Sequence, residues 1–501
     1  MTYYRPEWTV GRYYPQHKVA MMYNLMEGNS YFFEDDSASV IGEILSHQRN
    51  SAIDTQSLSK CYNIDDDIIQ AFFDELSDER LLSKNAIDSA IVNNYRSRLL
   101  AQNESSKRNH IWTSNSDDES ASSDAENNLN QAIKTDCICS ATIELTYKCS
   151  ACCIHCFNPK YHKEIDACYP ELDVSDYQAL IDELYDLGCY KVTLTGGDPF
   201  SKPILWDIIK YLYDKQIAFD IYTNGINLKQ NIPELLQYYP KLVAISLYSG
   251  TADIHDTITR IPGSYNRTLS SIQDLYKNSI PLLLKCCIMR KNIDSYHQVS
   301  DIAKQYNAWV QYELTIIDSL DNGLKNDGNI LPHDLIELVL RDKMIPIYVG
   351  PETLNSGKIG RDMNSNTCQA GTTGLSITPN GNVQPCIAFP LILGNLHKDS
   401  LQSILYGHKL KEWHKITLKE YTECGKHDYC NYCSICAGSN YVANGTPIKP
   451  CKTNCYIAKC RYNVAIKLSE GNDPLMGRDI QTRIKEVLSM NESMGCSASS
   501  L

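Results

Sequence analysis

The chain has 501 residues, of which 43% are hydrophobic and 21% are charged. This balance is typical of a folded globular protein and excludes a disordered or fibrous chain, and the length suggests about three domains. With 47 basic and 60 acidic residues the net charge is -13, so the surface repels nucleic acid and anionic lipid, and we expect neither nucleic acid nor a membrane as a partner. The N-terminal sequence lacks the apolar core of a signal peptide, which predicts a cytoplasmic protein.

Two groups of apolar residues near the N-terminus recur at helical spacing. The second group begins after the cap-like segment from Asn63 to Asp65. We therefore predict a small domain with a strand and three helices over residues 1–95. The two groups are Val40, Ile41, Ile44 and Leu45, then Ile68, Ile69, Phe72, Phe73 and Leu76.

A polar, acidic segment follows this domain. Between Ser114 and Asn130 the chain has five acidic residues, many Ser and Asn, and neither Lys nor Arg. Such a composition is typical of a solvated linker. We place this linker at residues 96–136.

Residues 137–340 alternate short β-rich runs with amphipathic segments. This pattern predicts βα units and an α/β fold with a parallel sheet, open or barrel-like. In such sheets ligands bind at the carboxyl ends of the strands. The six strand candidates are ATIELT, YKVTLT, AFDIYT, LVAISLY, PLLLKCCI and WVQYELTI.

Cysteine is unusually frequent, with 21 residues. Since the cytosol keeps thiols reduced, such a number indicates metal binding. Cys149, Cys153 and Cys156 follow the first predicted strand at C-x3-C-x2-C spacing, so that three thiolates can meet at one centre with a fourth position open. Cysteine ligands favour an iron–sulfur cluster or zinc, and from the spacing alone a zinc knuckle remains an alternative.

The second predicted strand ends in Thr195-Gly196-Gly197-Asp198-Pro199. Paired glycines let a ligand approach the backbone, and an acidic side chain or a carbonyl group can accept a hydrogen bond from an ammonium group. An ordinary turn would explain this stretch equally well when it is taken alone.

Together, the cysteine loop and the Gly-Gly-Asp-Pro stretch resemble the radical S-adenosylmethionine (radical SAM) superfamily. The resemblance implies a partial (β/α)6 barrel and a 4Fe-4S cluster held by Cys149, Cys153 and Cys156. It also implies S-adenosyl-L-methionine (SAM) bound to the open iron, and an electron donor such as flavodoxin or ferredoxin. The residues that match the stretch contacting the SAM amino group are Gly196, Gly197 and Asp198.

Further positions match the superfamily in order. Ser246 corresponds to a residue that contacts SAM, and Arg260 would hold the SAM carboxylate. One position departs from the pattern, because the residue before the last cluster cysteine is usually aromatic and is His155 here. Cys152 is out of register, and we interpret it as a spare thiol.

The C-terminal region resembles the SPASM domain, which implies one or two auxiliary 4Fe-4S clusters. Here Cys368 and Cys386 flank a predicted hairpin that turns at Asn380-Gly381. We assign residues 341–475 to this domain and residues 476–501 to a C-terminal helix and tail. The predicted ligands are Cys368, Cys386, Cys424, Cys430, Cys433, Cys436, Cys451 and Cys455.

The cysteine run of this domain departs from the family's C-x2-C-x5-C-x3-C spacing. With Cys460 the region has nine thiols, one more than two fully cysteine-ligated clusters require. The number of clusters and their ligands therefore stay open. A zinc ribbon at Cys430 and Cys433 remains an alternative.

Residues 1–95 resemble the winged-helix-like recognition element found in pyrroloquinoline quinone biosynthesis. Such elements bind the leader of a ribosomally synthesised precursor peptide as an extra strand at a sheet edge. A DNA-binding winged helix is the alternative. Acidic residues at two helix starts argue against phosphate contacts; they are Asp35, Asp36, Asp65, Asp66 and Asp67.

These features predict a radical SAM/SPASM enzyme that modifies a precursor peptide by hydrogen abstraction with a 5′-deoxyadenosyl radical. The product could be a thioether, a carbon–carbon or carbon–oxygen cross-link, or an oxidised side chain. One alternative is a formylglycine-forming enzyme similar to sulfatase maturases. Another is a zinc-bound winged-helix regulator.

Overall fold

A computed structural model describes most of the chain. The described residues are 1–105, 121–133, 138–158, 169–320, 326–345, 347–350, 362–368 and 370–493. Parts of the predicted linker and of the C-terminal tail, at 106–120, 134–136 and 494–501, lie outside them.

The N-terminal domain is a three-stranded antiparallel sheet followed by helices. In the sheet β3 lies between β2 and β4, while β1 pairs with β5. The two predicted apolar groups lie in α1 and α3, but residues 1–105 contain five strands and four helices where one strand and three helices were predicted. Asp65 caps α3 by accepting a hydrogen bond from the Asp67 amide at 2.9 Å. The elements are β1 Thr2–Tyr4, β2 Thr9–Tyr14, β3 Val19–Asn24, β4 Asn29–Glu34, α1 Asp35–Ser46, β5 Ala52–Asp54, α2 Thr55–Tyr62, α3 Asp66–Asp78 and α4 Ser89–Ser105.

Part of the predicted linker is folded into the molecule. Helix α5, Ala121–Ala132, contacts β3 and β4. Its residues Ala125 and Leu129, with the following Ile133, are buried. The expectation of a solvated linker therefore does not hold for 124–133, because these three side chains share one helix face within an otherwise polar segment.

The second domain contains the six predicted strands, which are all confirmed. They run parallel in chain order from β6 to β11. The elements are β6 Ser140–Glu144, α6 Val174–Asp186, β7 Lys191–Thr195, α7 Leu205–Asp214, β8 Ala218–Thr223, α8 Ile232–Leu235, β9 Leu242–Ser246, α9 Ala252–Thr259, α10 Ser264–Lys277, β10 Leu282–Cys287, α11 Gln298–Gln305, β11 Trp309–Glu313 and α12 His333–Val339.

The C-terminal region extends the same sheet. Strand β12 pairs parallel with β6, and β13 and β14 follow, so that the sheet has nine strands. The predicted hairpin turn is confirmed, with Gly381 at φ +79°, where glycine is favoured. The elements are β12 Gly374–Ile377, β13 Asn382–Gln384, β14 Gly394–Asn395, α13 Leu401–Leu405, α14 His408–His414, α15 Ala437–Asn444, α16 Lys452–Ser469 and α17 Ile480–Ser493.

The N-terminal domain packs against the N-terminal ends of the barrel strands. Met21 and Tyr23 of β3 share one apolar cluster with Cys139, Tyr190 and Ala218, which lie just before or at the start of β6, β7 and β8. The carboxyl ends of the same strands therefore face away from this domain. Among the described residues, none of the helices is both long and apolar enough to cross a membrane.

Candidate functional site

The three cysteines of the predicted cluster lie in the loop that follows β6, at the carboxyl end of the barrel. The loop backbone is tied to the end of α9. The amide of Cys152 donates to the Thr259 carbonyl at 3.0 Å, and the amide of Ile154 donates to the Ile258 carbonyl at 2.9 Å. These bonds fix the loop that carries Cys149, Cys153 and Cys156.

The sulfur of Cys149 accepts two hydrogen bonds. The donors are the Ala151 amide at 3.3 Å and the Asn224 side-chain amide at 3.4 Å. Cys149 is exposed, and binding of iron at its sulfur displaces the thiol proton. N–H donors directed at a cysteine sulfur are a common feature of iron–sulfur sites.

Cys153 and Cys156 lie beside the buried ring of Tyr248. Burial raises the pKa of this tyrosine, and the two thiols raise it further. The ring of His155 contacts Tyr248 edge to face, with centroids 4.8 Å apart. His155, which stands where the radical SAM pattern usually has an aromatic residue, thus also packs its ring against a neighbouring ring. Cys153 also packs against an apolar cluster that includes Met289.

The paired glycines have a structural role that the sequence did not reveal. A Cβ atom on Gly196 would lie 2.3 Å from the Thr146 carbonyl oxygen, and one on Gly197 would lie 2.4 Å from the Lys148 carbonyl oxygen. The Gly197 amide donates to the Thr146 carbonyl at 2.6 Å. The glycines therefore let the end of β7 pack directly on the backbone of the cysteine loop.

The Asp198 carboxylate is fully engaged within the protein. It is buried and accepts hydrogen bonds from the Phe200 amide at 3.0 Å, the Thr223 hydroxyl at 2.7 Å and the Asn224 amide at 3.0 Å. The side chain is thus used to join the ends of β7 and β8. Contact of this stretch with SAM stays a prediction. Because the Asp198 side chain is already hydrogen-bonded within the protein, the backbone groups of the stretch would make that contact.

Ser246 and Arg260 lie at the same end of the barrel. Ser246 is the last residue of β9 and pairs in register with Lys285 of β10. Arg260 is exposed, caps α9 in the left-handed conformation at φ 59°, and directly follows Thr259, to which the cysteine loop is bonded. The structure therefore brings Arg260 beside the cysteine loop, and its contact with SAM stays a prediction.

The neighbouring histidine–aspartate pair is structural. Asp256 accepts hydrogen bonds from the Gly263 and Tyr265 amides and from the Ser264 hydroxyl at the start of α10. His255 is buried, and burial lowers its pKa to about 4.

The interior of the barrel contains an unpaired carboxyl group. Glu144 of β6 is buried, and neither of its oxygens has a hydrogen-bond partner among the described residues. Burial raises its pKa to about 8, so the group is mostly protonated at neutral pH. On the inner side of the sheet Lys285 lies 4.2 Å from the centroid of the Tyr222 ring.

The C-terminal cysteines form two groups and one outlier. Cys386 is influenced electrostatically by Cys436 and Cys368. A cavity of about 150 Å³ is lined by a second set of cysteines, and none of the three cysteines just named is among them. Cys460 is buried next to Glu337. The cysteines of the cavity are Cys424, Cys430, Cys433, Cys451 and Cys455, with His427 at the same wall.

The separate position of Cys460 bears on the surplus thiol, and the assignment of the other cysteines as ligands stays a prediction. Without Cys460, eight cysteines remain, which is the number that two cysteine-ligated clusters require. Within the described residues no three Cys, His, Asp or Glu side chains converge closely enough to hold a single ion. A four-iron cluster holds its thiolates farther apart than a single ion does.

Sequence reasoning did not single out several residues of these sites. Asn224 directly follows the third predicted strand, and its bond to Cys149 depends on packing between loops. Glu144 and Tyr248 looked like ordinary strand residues. Only their burial and neighbours show their place at the site.

Residues 143–299 match the Radical SAM superfamily, and residues 368–437 match SPASM, an iron–sulfur cluster-binding domain. The AdoMet-dependent heme synthase of Methanosarcina barkeri is 24% identical over 327 residues, which cover 60% of this chain and 92% of that protein. The antilisterial bacteriocin subtilosin biosynthesis protein AlbA of Bacillus subtilis is 24% identical over 313 residues, which cover 60% of this chain and 66% of AlbA.

The crystal structure of Streptococcus suis SuiB bound to the precursor peptide SuiA has the same fold. Its TM-score is 0.50 at 14% identity, and the match covers 90% of this chain and 99% of the SuiB chain. The likeness therefore extends over nearly the whole molecule.

The cofactors follow from the two domains: a 4Fe-4S cluster with SAM in the first, and iron–sulfur binding in the second. The residues present suit these groups, since the Cys149 sulfur accepts N–H donors and cysteines line the C-terminal cavity. The chain carries a radical SAM domain followed by a SPASM domain, and it is a radical SAM enzyme.

Proposed function

We propose that this enzyme modifies a ribosomally synthesised precursor peptide, and that residues 1–95 bind the leader of that peptide. The likeness to AlbA, a biosynthesis protein of a bacteriocin, supports a peptide substrate. The radical SAM and SPASM matches argue against the zinc-bound regulator. Cytoplasmic location and an electron donor such as flavodoxin or ferredoxin belong to the same proposal.

The observation that carries the leader-binding proposal is the edge of the N-terminal sheet. In the described part of the chain β4 forms strand hydrogen bonds with β3 alone, while helix α5 also packs against β4. A strand edge without a paired strand is a template for a further strand. Most of the side chains of β4 are partly exposed, whereas all six of β3 are buried. Main-chain hydrogen bonds at such an edge bind a peptide with little dependence on sequence.

An apolar helix face lies beside this edge. Phe33 of β4 and Phe72 of α3 contact each other edge to face, with ring centroids 6.1 Å apart. Ile68 lies one helical turn before Phe72, on the same face of α3, and is 64% exposed. The side chains of a bound leader strand would cover Ile68 and Phe72.

The site residues have distinct roles in this proposal. Cys149, Cys153 and Cys156 hold the cluster, and Arg260 binds the SAM carboxylate. Bound there, the cluster and SAM supply a 5′-deoxyadenosyl radical that removes a hydrogen atom from the peptide. The apolar packing around Tyr248 and Met289 shields the part of the loop that carries Cys153.

The chemistry after hydrogen abstraction is a net oxidation in our proposal. A substrate radical that closes a thioether or a cross-link must lose one electron, and auxiliary clusters in the SPASM domain can accept it. The ligands that we assign to them are Cys368, Cys386, Cys424, Cys430, Cys433, Cys436, Cys451 and Cys455.

The test is coexpression with the short peptide encoded beside the enzyme, followed by mass spectrometry. We expect a mass change in the peptide with the wild-type enzyme. With Ile68→Glu we expect at least a tenfold weaker leader affinity in fluorescence anisotropy, because a charge would be placed in the apolar face, and less modified peptide.

The matched control is Ile466→Glu, which places the same charge at a 40% exposed isoleucine of α16. Both variants should still cleave SAM. Equal leader affinity in Ile68→Glu and Ile466→Glu would contradict the role of the N-terminal domain. If a peptide without its leader is modified to the same extent as the full precursor peptide, a formylglycine-forming type of enzyme is favoured.

A further inference from the structure

Among the described residues, the hydroxyl group of Tyr421 is a buried polar group without a hydrogen-bond partner. Tyr421 follows the short turn Leu418–Glu420 and is only 1% exposed. Its oxygen is shielded from solvent and forms no hydrogen bond within the described residues. A buried hydroxyl that finds no acceptor is costly, so it commonly marks a place where an acceptor binds.

The phenol lies near cysteines of both C-terminal groups. The thiols of Cys368, Cys424 and Cys436 are close enough to act on it electrostatically, and Cys386 lies with two of them. The Thr367 hydroxyl is near enough to lower the pKa of Tyr421, but it is not within hydrogen-bond distance of the phenol oxygen and donates to the sulfur of Cys368 at 3.9 Å. Since these thiols are predicted cluster ligands, an acceptor bound among them would lie near the Tyr421 hydroxyl.

The position of the ring is set by backbone bonds on both sides. The Leu418 amide donates to the Ser365 carbonyl at 3.0 Å, which brings the segment before Cys368 against the segment around Tyr421. The Cys424 amide donates to the Tyr421 carbonyl at 2.9 Å. Tyr421 is thus held between two predicted ligands, and its hydroxyl is not free to turn to solvent.

We infer that Tyr421 donates a hydrogen bond to a sulfur of the auxiliary cluster held by Cys368, Cys386 and Cys436, and so raises the reduction potential of that cluster. The inference rests on the proposed ligand assignment. Cluster sulfurs carry negative charge and accept hydrogen bonds better than a thiol does. Donors directed at them stabilise the reduced cluster, which is the more negative form.

The test uses the full chain, reconstituted anaerobically, with Tyr421→Phe to remove the hydroxyl alone. We expect unchanged iron and sulfide content, an unchanged radical SAM cluster, and a shift of one auxiliary midpoint potential to a more negative value in an EPR-monitored redox titration. Placing 3-fluorotyrosine at position 421 makes the hydroxyl a stronger donor and should shift the same potential the other way.

Two controls make the result specific. Tyr441→Phe removes a hydroxyl from the same domain, where the ring packs on Phe389 at 5.3 Å, and should leave all potentials unchanged. Cys386→Ala should remove the signal that Tyr421→Phe shifts, and if it does not, the ligand assignment fails. An unchanged potential in both Tyr421 proteins, or the same shift in Tyr441→Phe, would overturn the inference. If Tyr421→Phe loses iron, the fluorinated protein alone decides.

Discussion

Two buried carboxyl groups of the barrel, Asp198 and Glu144, differ in the hydrogen-bond partners that surround them. Asp198 accepts three hydrogen bonds, two of them from the end of β8, and therefore joins two loops. Glu144 has no hydrogen-bond partner among the described residues. An unpaired charge in this position would be far more costly than a neutral acid, so we expect Glu144 to be neutral at physiological pH.

Glu144→Gln tests this expectation through stability against pH. Burial raises the pKa of Glu144 in the folded state to about 8. The wild-type protein therefore has its full stability only at pH values below the ordinary pKa of a glutamate. This stability is lost as the pH rises toward about 8, by up to about 1.4 kcal/mol per pH unit. The variant cannot ionise, so the wild-type protein should become less stable relative to it over this range.

Urea unfolding of reconstituted protein between pH 5 and about pH 8 measures the effect. The difference in unfolding free energy between wild type and Glu144→Gln should grow with pH. A constant difference would show that Glu144 is ionised or paired in the folded enzyme.

At the scale of elements, helix α5 joins the N-terminal domain to the barrel through one largely buried carboxylate. Glu126 accepts hydrogen bonds from Lys191 at 2.6 Å and from the Tyr23 hydroxyl at 2.9 Å, and it pairs with Lys241 at 2.9 Å. Burial alone would raise its pKa, but the two lysines outweigh burial and hold the pKa below its ordinary value. This stabilisation is present above the ordinary glutamate pKa and is lost as the pH falls.

We expect Glu126→Gln to destabilise the protein by about 3 kcal/mol, because two largely buried ammonium groups lose their counter-charge. Hydrogen exchange should increase in β3 and β4, since α5 contacts these strands. The exposed Asp124 of the same helix is the control, as Asp124→Asn. Equal stability of the two variants would contradict a structural role for Glu126.

The sequence predicted the barrel strands because each is a short β-rich run between amphipathic segments, and it predicted the cysteine loop because its ligands are close in the chain. It did not predict the N-terminal sheet, whose central strand β3 is buried on both faces and shows no alternation. Nor did it predict the burial of Glu126, whose partners Lys191 and Lys241 are more than sixty residues away in the chain. Tyr421 was missed for the same reason, because its neighbours meet only in the folded domain.

At the scale of the whole molecule, the proposed leader site and the cysteine loop lie toward opposite ends of the barrel. The N-terminal sheet packs at the beginning of the strands, whereas the cysteines follow their carboxyl ends. Strands of this length span roughly 17–20 Å. A peptide bound at β4 must therefore extend over at least about five residues before it reaches the site.

The same packing affects how the N-terminal domain should be tested. Arg5 is buried and donates to Gln216 of the barrel at 2.6 Å, and Trp8 shares an apolar cluster with Tyr239. Removing residues 1–95 would expose this apolar surface to water. It would also remove the hydrogen bond that the Tyr23 hydroxyl donates to Glu126. Point variants such as Ile68→Glu separate leader binding from folding, whereas the deletion does not.

The central claim is that Cys149, Cys153 and Cys156 hold the cluster that binds and cleaves SAM. The most direct measurement combines EPR of the reduced, anaerobically reconstituted enzyme with and without SAM and the assay of 5′-deoxyadenosine. Wild type and Cys152→Ala should show a changed spectrum with SAM and release 5′-deoxyadenosine. Cys156→Ala should do neither while keeping its SPASM iron. A wild-type spectrum that ignores SAM, or 5′-deoxyadenosine release by Cys156→Ala, would contradict the account.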